Sequence, residues 1–287
     1  MIAMQRILIQ LDTDPLPSTF DRVVAVDAGV EQLFSYGGVT PDNVEPLVHG
    51  AMFTRKDLKD TAIFIGGSNV LSGEALLAKV LKTFIGPVRV SVMMDSNGSN
   101  TTAAATVRAV AKHVALPQVT ALILGGTGPV GCRAAQILAS QGATVRVGSR
   151  RVEKAQTTCE RLAKVVDGSK LSAWETETPA GLGAATRGVN VIIGAGAAGV
   201  VLISEEQLRN VSTLMVAIDL NAVPPAGVGG INVMDKAVER SGVICYGAIG
   251  VGGTKMKIHT AAVQQLFTKN DLVLDTAAIY AIACSIS

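Results

Sequence analysis

Residues 120–131 read T-A-L-I-L-G-G-T-G-P-V-G, a strand, a glycine-rich turn and the start of a helix. Thr120 to Leu124 is a short apolar run of strand length, and Val130 to Gln141 repeats its apolar residues at helical spacing. Between them Gly126, Gly128 and Gly131 match G-x-G-x-x-G. That pattern alone is weakly specific. Here it follows a strand, opens a helix and precedes a second strand at Thr144 to Val147, which is the βαβ context a dinucleotide fingerprint requires. Gly126 permits the tight turn, Gly128 lets backbone N–H groups approach a pyrophosphate, and Gly131 lets the helix pack on the sheet. Thr127, Pro129 and Val130 complete the turn, and the helix N-terminus offers positive potential to phosphates.

The end of the second strand bears on the choice of cofactor. An acidic residue there would accept bonds from a ribose 2′-hydroxyl, but the segment is Val147-Gly148-Ser149-Arg150-Arg151, with no carboxylate before Glu153. Arg150 and Arg151, with Ser149 beside them, favour a 2′-phosphate through charge-assisted bonds, so NADP is expected. A second glycine cluster, Gly194 to Gly199, follows the strand at 189–193. Ala195 and Gly196 either let the cofactor pass close to the backbone or serve close helix packing; the sequence supports both equally.

Outward from this unit, apolar runs alternate with amphipathic stretches along the whole chain. Before it lie strands at 6–11, 62–65 and 88–93. Helices follow Ser18 and the Thr40-Pro41 start, and two more cover 74–84 and 101–115. After it lie a helix at 154–165, strands at 189–193, 214–219 and 243–246, and a helical end from Lys257 onwards. The pattern is α/β: two α/β domains, the second a Rossmann-type doubly wound parallel sheet, with the active site in an interdomain cleft. Leu116-Pro117 marks the boundary, because proline disfavours helix in the residue before it. Residues 1–116 form the expected substrate-binding domain, joined by the C-terminal helices 257–287; residues 117–256 form the NADP-binding domain.

Composition excludes several classes. The 287 residues are 48% hydrophobic and 17% charged, enough for a real core and too few charges for a disordered chain. A net charge of +2 and 3% aromatics give neither the basic footprint nor the stacking residues of a nucleic-acid binder. Cys132, Cys159, Cys245 and Cys284 are scattered with no C-x-x-C pair, so neither a metal site nor a disulfide framework is expected. The N-terminal residues lack a signal-peptide pattern, and the most apolar stretch, 189–203, is too short for a membrane span. A cytoplasmic, membrane-free protein is expected.

The substrate side is read from three polar segments. Asp95-Ser96-Asn97-Gly98-Ser99-Asn100-Thr101-Thr102 places seven hydrogen-bonding side chains between a strand and a helix. A capped turn uses one or two such residues; a polar heterocycle needs many. Asp219 to Pro225 follows a strand, and its two prolines stiffen a turn that holds Asn221. Gly247 to Lys257 surrounds Lys255 with glycines, which would let its ammonium reach into a cleft; solvent exposure is the plain alternative.

These segments together resemble the bacterial NAD(P)-dependent methylenetetrahydromethanopterin dehydrogenases. The resemblance spans essentially the whole chain: Q-L-D-T-D at 10–14, V-T-P-D-N-V at 39–44, D-S-N-G-S-N-T-T-A-A-A at 95–105, G-T-G-P-V-G at 126–131, D-x-N-A-x-P-P at 219–225 and G-x-G-G-x-K-x-K-x-H at 250–259. The run at 95–105 is the specific one. The resemblance implies oxidation of 5,10-methylene- to 5,10-methenyl-tetrahydromethanopterin with hydride passing to NADP, in a trimer or hexamer. It implies that Lys255 is the catalytically important lysine and that the run at 95–102 is the pterin-side loop. Ser149 stands where a relative has glycine, and Thr254 where a relative has leucine. A carboxylate, Asp95, Asp12 or Asp14, is the natural partner for the pterin amino and ring N–H groups. Methylenetetrahydrofolate dehydrogenase and a non-catalytic NADP-binding sensor remain the alternatives.

Overall fold

Strands buried on both faces pair in parallel through helical crossovers, and the computed structural model, which describes residues 5–286, contains two sheets built in this way. In chain order the first series is β1 (Ile7–Asp12), α1 (Thr19–Asp27), β2 (Gln32–Tyr36), α2 (Glu45–Phe53), β3 (Thr61–Gly66), α3 (Val70–Thr83), β4 (Ser91–Met94) and α4 (Ser99–Ala111). The second is β5 (Thr120–Leu124), α5 (Pro129–Ser140), β6 (Thr144–Ser149), α6 (Val152–Ala163), β7 (Lys170–Glu175), α7 (Pro179–Thr186), β8 (Val191–Gly194), α8 (Glu205–Arg209), β9 (Val216–Asp219), β10 (Lys236–Arg240), β11 (Val243–Tyr246) and α9 (Ala248–Gln265). The chain ends with β12 (Val273–Leu274) and α10 (Thr276–Ser285).

Residues 1–101 and 256–287 form one unit and residues 102–255 the other. The chain therefore crosses within α4 and again within α9, not at Leu116-Pro117 and Lys257. The reason is that α4 runs unbroken through residues 101 and 102 and α9 through residues 255 and 256, while Leu116-Pro117 sits in a short 3-10 turn inside the second unit.

In the first unit the order β12-β4-β3-β1-β2 is wholly parallel. Its sequence-order pattern is 2-1-3-4-5, with the reversal between β1 and β3. In the second unit β7-β6-β5-β8-β9-β11 are parallel, with β10 antiparallel at the edge. That is the Rossmann order 3-2-1-4-5-6, reversing between β5 and β8. The expected α/β class and Rossmann second half are what the structure shows. Each unit has its own core: Leu11, Ile63, Ile65, Leu76 and Val92 in the first, and Leu122, Leu124, Ile192, Ala217 and Val228 in the second. Each large aliphatic side chain buried there contributes roughly 1.5–3 kcal/mol.

Local chemistry explains most boundaries. The Ser18 hydroxyl accepts the Asp21 amide and starts α1, and the Asn69 side chain accepts the Ser72 amide and starts α3. Thr40-Pro41 does not start a helix. The Asn43 side chain accepts the Thr40 amide and the Thr40 carbonyl accepts the Val44 amide, closing a turn that delays α2 to Glu45. The helix expected from Lys257 begins nine residues earlier by number, at Ala248.

Candidate active site

The cofactor-type turn of the second unit is built at the carboxyl end of β5. Gly125 has φ +71, which only glycine adopts at little cost, and a Cβ there would fall 2.6 Å from the Gly196 Cα. The β5–α5 turn thus lies against the Ala195-Gly196 loop after β8, at the sheet's reversal point. The Gly126 amide donates to the Gly148 carbonyl (2.9 Å), tying the turn to the end of β6. A Cβ on Gly131 would meet the Gly125 carbonyl at 2.7 Å, so α5 rests directly on the turn. No side chain caps α5: Gly128 is its N-cap, and Thr127, Gly128 and Val130 are half-buried while Pro129 is exposed. An open helix start, a glycine where a side chain would block approach, and a 12-residue helix behind them fit a nucleotide pyrophosphate.

At the end of β6 Ser149 is buried and its hydroxyl accepts the Arg151 amide (3.3 Å). Arg150 and Arg151 are exposed just beyond it. The structure therefore brings Gly126–Gly131, Ser149–Arg151 and Ala195–Gly196 to the same ends of neighbouring strands.

Asp219, at the end of β9, is a residue that the sequence reading quoted only as part of a loop. It is buried, and burial pushes its carboxyl above the usual carboxylate range, against the pull of amide bonds from Asn221 and Gly227. Its Oδ2 accepts the Gly227 amide (2.8 Å) and its Oδ1 the Asn221 amide (3.1 Å), folding the 219–228 loop beside Gly194. The Asn221 side chain is engaged inside that loop: Nδ2 donates to the Pro225 carbonyl (2.9 Å) and Oδ1 accepts the Val223 amide (3.0 Å).

Lys255 is half-buried on α9, and Lys257 on the same helix is exposed. Two residues along an α-helix turn a side chain by roughly 200°, so the two ammonium groups leave on different sides. The glycines before them do not make a loop. A Cβ on Gly247 would lie 2.1 Å from the Asn232 carbonyl oxygen and one on Gly250 1.7 Å from that of Asp235, so they let the start of α9 press on the 232–236 backbone.

In the first unit the loops after β1, β3 and β4 are knitted together. Asp14 accepts the Ser68 amide (2.9 Å) and hydroxyl (3.0 Å), the Asn97 amide donates to the Gly67 carbonyl (2.6 Å), and the Ser96 hydroxyl donates to that of Gly66 (3.2 Å). Asp95 is buried; Oδ1 accepts the Asn100 (2.8 Å) and Thr101 (3.1 Å) amides, and Oδ2 the Thr101 hydroxyl (2.6 Å). Asn100 is buried too, donating to the Met94 carbonyl (2.6 Å) and accepting the Thr276 hydroxyl (2.7 Å). Asn97 is exposed in a left-handed conformation (φ 56), and Gly98 and Thr102 are half-buried. Asn97 and Ser68 are therefore the exposed residues of this cluster, half-buried Asp14 holds Ser68, and Asp95, Ser96, Asn100 and Thr101 form its frame. Ser68 escaped the sequence reading; its signal was the Gly66-Gly67 pair that closes an apolar strand.

Among the described residues no group of three or more His, Cys, Asp or Glu is placed to hold a metal, and no helix is long and apolar enough to cross a membrane.

A family model described as methylene-tetrahydromethanopterin dehydrogenase, N-terminal, matches residues 19–97. A protein of Methylorubrum extorquens named bifunctional protein MdtA is 42% identical over 97% of this chain and 98% of its own. A second from the same organism, named NAD(P)-dependent methylenetetrahydromethanopterin dehydrogenase, is 35% identical over 94% of this chain and 95% of its own. The fold is also similar to that of ligand-free 5-ketofructose reductase of Gluconobacter sp. strain CHM43, with a TM-score of 0.54 and 13% identity over 99% of this chain and 100% of that one.

Proposed function

Because the chain belongs to the methylenetetrahydromethanopterin dehydrogenase family, we propose that it oxidises 5,10-methylene-tetrahydromethanopterin to the 5,10-methenyl form with NADP, as a step of one-carbon metabolism that draws on formaldehyde. The observation that carries this reading is the uncapped start of α5 behind Gly125–Gly128, at the point where the second sheet reverses. When bound there, the nicotinamide supplies the hydride acceptor.

The chain's own residues then have separable tasks. The amides at the start of α5 hold the pyrophosphate, and Arg150 and Arg151 hold the 2′-phosphate. Ala195 and Gly196 pack closely on the turn and so hold it in place beside the cofactor. The carbon that loses hydride sits between two nitrogens whose lone pairs delocalise the new positive charge, so no strong base is required and alignment is the main catalytic contribution. A lysine ammonium at that carbon would oppose the forming cation. Lys255 therefore acts on the pterin periphery, as a donor that aligns the carrier. Asp14, Ser68 and Asn97 supply polar groups for the heterocycle, on a frame made by Asp95, Ser96, Asn100 and Thr101. A homo-oligomer, trimer or hexamer, completes the reading, supported by apolar side chains exposed on α1 and β2.

The test is NADPH absorbance with tetrahydromethanopterin or tetrahydrofolate plus formaldehyde, which condenses to the methylene form. Turnover with the first carrier supports the reading. Turnover with the folate alone makes the chain a methylenetetrahydrofolate dehydrogenase, and turnover with neither makes it an NADP-binding sensor.

A further inference from the structure

Inside the second unit, away from the glycine turns, α4, the β10–β11 hairpin and the start of α9 enclose a hollow of about 250 Å³. Its lining includes Arg108, Lys112, His113, Lys236, Tyr246 and Thr254 and no carboxylate. The whole chain carries a net charge of only +2, so three permanent cations around one small hollow are a strong local excess. Arg108 lies in the last turn of α4, and Lys112, the first residue after that helix, lines the hollow with it. From the other side Lys236 stands opposite Tyr246 in the β10–β11 register.

The hairpin is bent to make this arrangement. Its register shifts between Lys236 and Val238, and the residue between them, Ala237, has φ 57. A left-handed alanine is costly and persists only where its surroundings impose it, and a bulge of this kind re-aims the side chains beside it. Tyr246 is buried and its hydroxyl lies 2.8 Å from His113 Nε2, which fixes both groups at the wall. None of these residues has a task in the hydride transfer described above.

We propose that this hollow is a binding site for a phosphate oxyanion, separate from the cofactor's phosphates. Arg108 offers two parallel N–H donors to a pair of phosphate oxygens, Lys112 and Lys236 neutralise the second charge, and the Thr254 and Tyr246 hydroxyls are at hand for the remaining oxygens. The site takes either free phosphate or the phosphate of a small ester, and it stands whichever one-carbon carrier the enzyme uses.

The experiment is calorimetric titration of the NADP-saturated protein with inorganic phosphate and, separately, with glycerol phosphate. Saturating NADP removes the cofactor site from the measurement. Saturable binding of either probe is expected; the tighter of the two identifies the source. Lys236→Ala, on an exposed edge strand, and Arg108→Gln should each weaken it at least about tenfold while leaving NADP affinity unchanged. Lys164→Ala, which removes an exposed charge elsewhere, should leave it unchanged. Absence of saturable binding to the unmodified protein overturns the proposal. So does equal weakening in the Lys164 variant, which would mean general charge attraction, and so does binding that survives both pocket substitutions.

Discussion

Arg150 and Arg151 stand exposed at the end of β6, where a guanidinium meets little but solvent unless a phosphate is present. Neither side chain caps the helix that follows, since α6 starts at Val152 and Arg151, its N-cap residue, makes no side-chain cap bond. Removing both should therefore leave the fold intact. Each charge-assisted bond to a phosphate is worth roughly 1.5–3 kcal/mol. The double change Arg150→Ala with Arg151→Ala should raise the Michaelis constant for NADP at least about tenfold and leave that for NAD nearly unchanged. Equal effects on the two would remove the 2′-phosphate role. Lys255 and Lys257 provide the matched pair for the substrate. They carry the same charge on one helix and leave it on different sides. Lys255→Ala should cut turnover by about a hundredfold, the scale of a misaligned substrate, with NADP binding by fluorescence nearly constant. Lys257→Ala should leave turnover close to that of the unmodified enzyme. Equal, mild losses would reduce both lysines to background charge.

Elements show the same glycine doing opposite work in different helices. Gly131 in α5 has backbone within 2.7 Å and 2.9 Å of where a Cβ would stand, so Gly131→Ala must push the helix off its turn. Fluorescence titration should show a loss of cofactor affinity of at least about tenfold. Gly50 in α2 has open space there, and Gly50→Ala should stabilise the protein by roughly 0.5–1 kcal/mol through helix propensity, read as a higher midpoint in urea. The β10–β11 hairpin carries a pH dependence of known sign. The Asp235 carboxylate takes two bonds from Arg240, at 2.7 Å each, and the Arg240 guanidinium holds its carboxyl below its ordinary value of 3.8. Its stabilisation is present above that value and is lost as pH falls through the depressed one. The difference in melting temperature between the unmodified protein and Asp235→Asn should therefore shrink as pH is lowered below about 4. These elements also show what the sequence made legible. The strand, turn and helix at 120–140 were plain because the apolar period changes from strand to helix across three glycines. The start of α9 was hidden because Gly247 and Gly250, which read as a loop, are there to admit the 232–236 backbone. The polar run at 95–102 read as a set of free donors and acceptors, yet Asp95, Asn100 and Thr101 bond chiefly to one another and to the backbone; composition counts polar groups and is blind to which ones satisfy each other.

For the whole molecule, two parallel sheets were readable from alternating apolar and amphipathic segments, but their strand orders were not. β2 is half-exposed, β10 is exposed throughout and β12 is two residues long, so none gives a strong apolar signal. The places where the chain changes unit fall inside α4 and α9, where no turn residue marks them. Phe20, Val23 and Val26 recur at three-residue spacing on α1 and are each about half exposed or more, at 51%, 54% and 61%, with Leu16 just before them at 85%. On β2, which forms the edge of its sheet, Phe34 and Tyr36 are exposed as well. Single exposed apolar residues are ordinary on a monomer, but a row along one helix beside an open sheet edge is the kind of surface that a second copy covers. The mean hydropathy of +0.40 points the same way. Light scattering should give a mass that is a multiple of 29.5 kDa, three or six times for the expected trimer or hexamer. Val23→Glu together with Val26→Lys places charges in the middle of the row without touching either core, since both side chains are exposed. The variant should scatter at a lower mass than the unmodified protein while its helical circular dichroism is retained. A single-chain mass for the unmodified protein would end the oligomer reading, and a variant that keeps the full mass would move the interface away from α1.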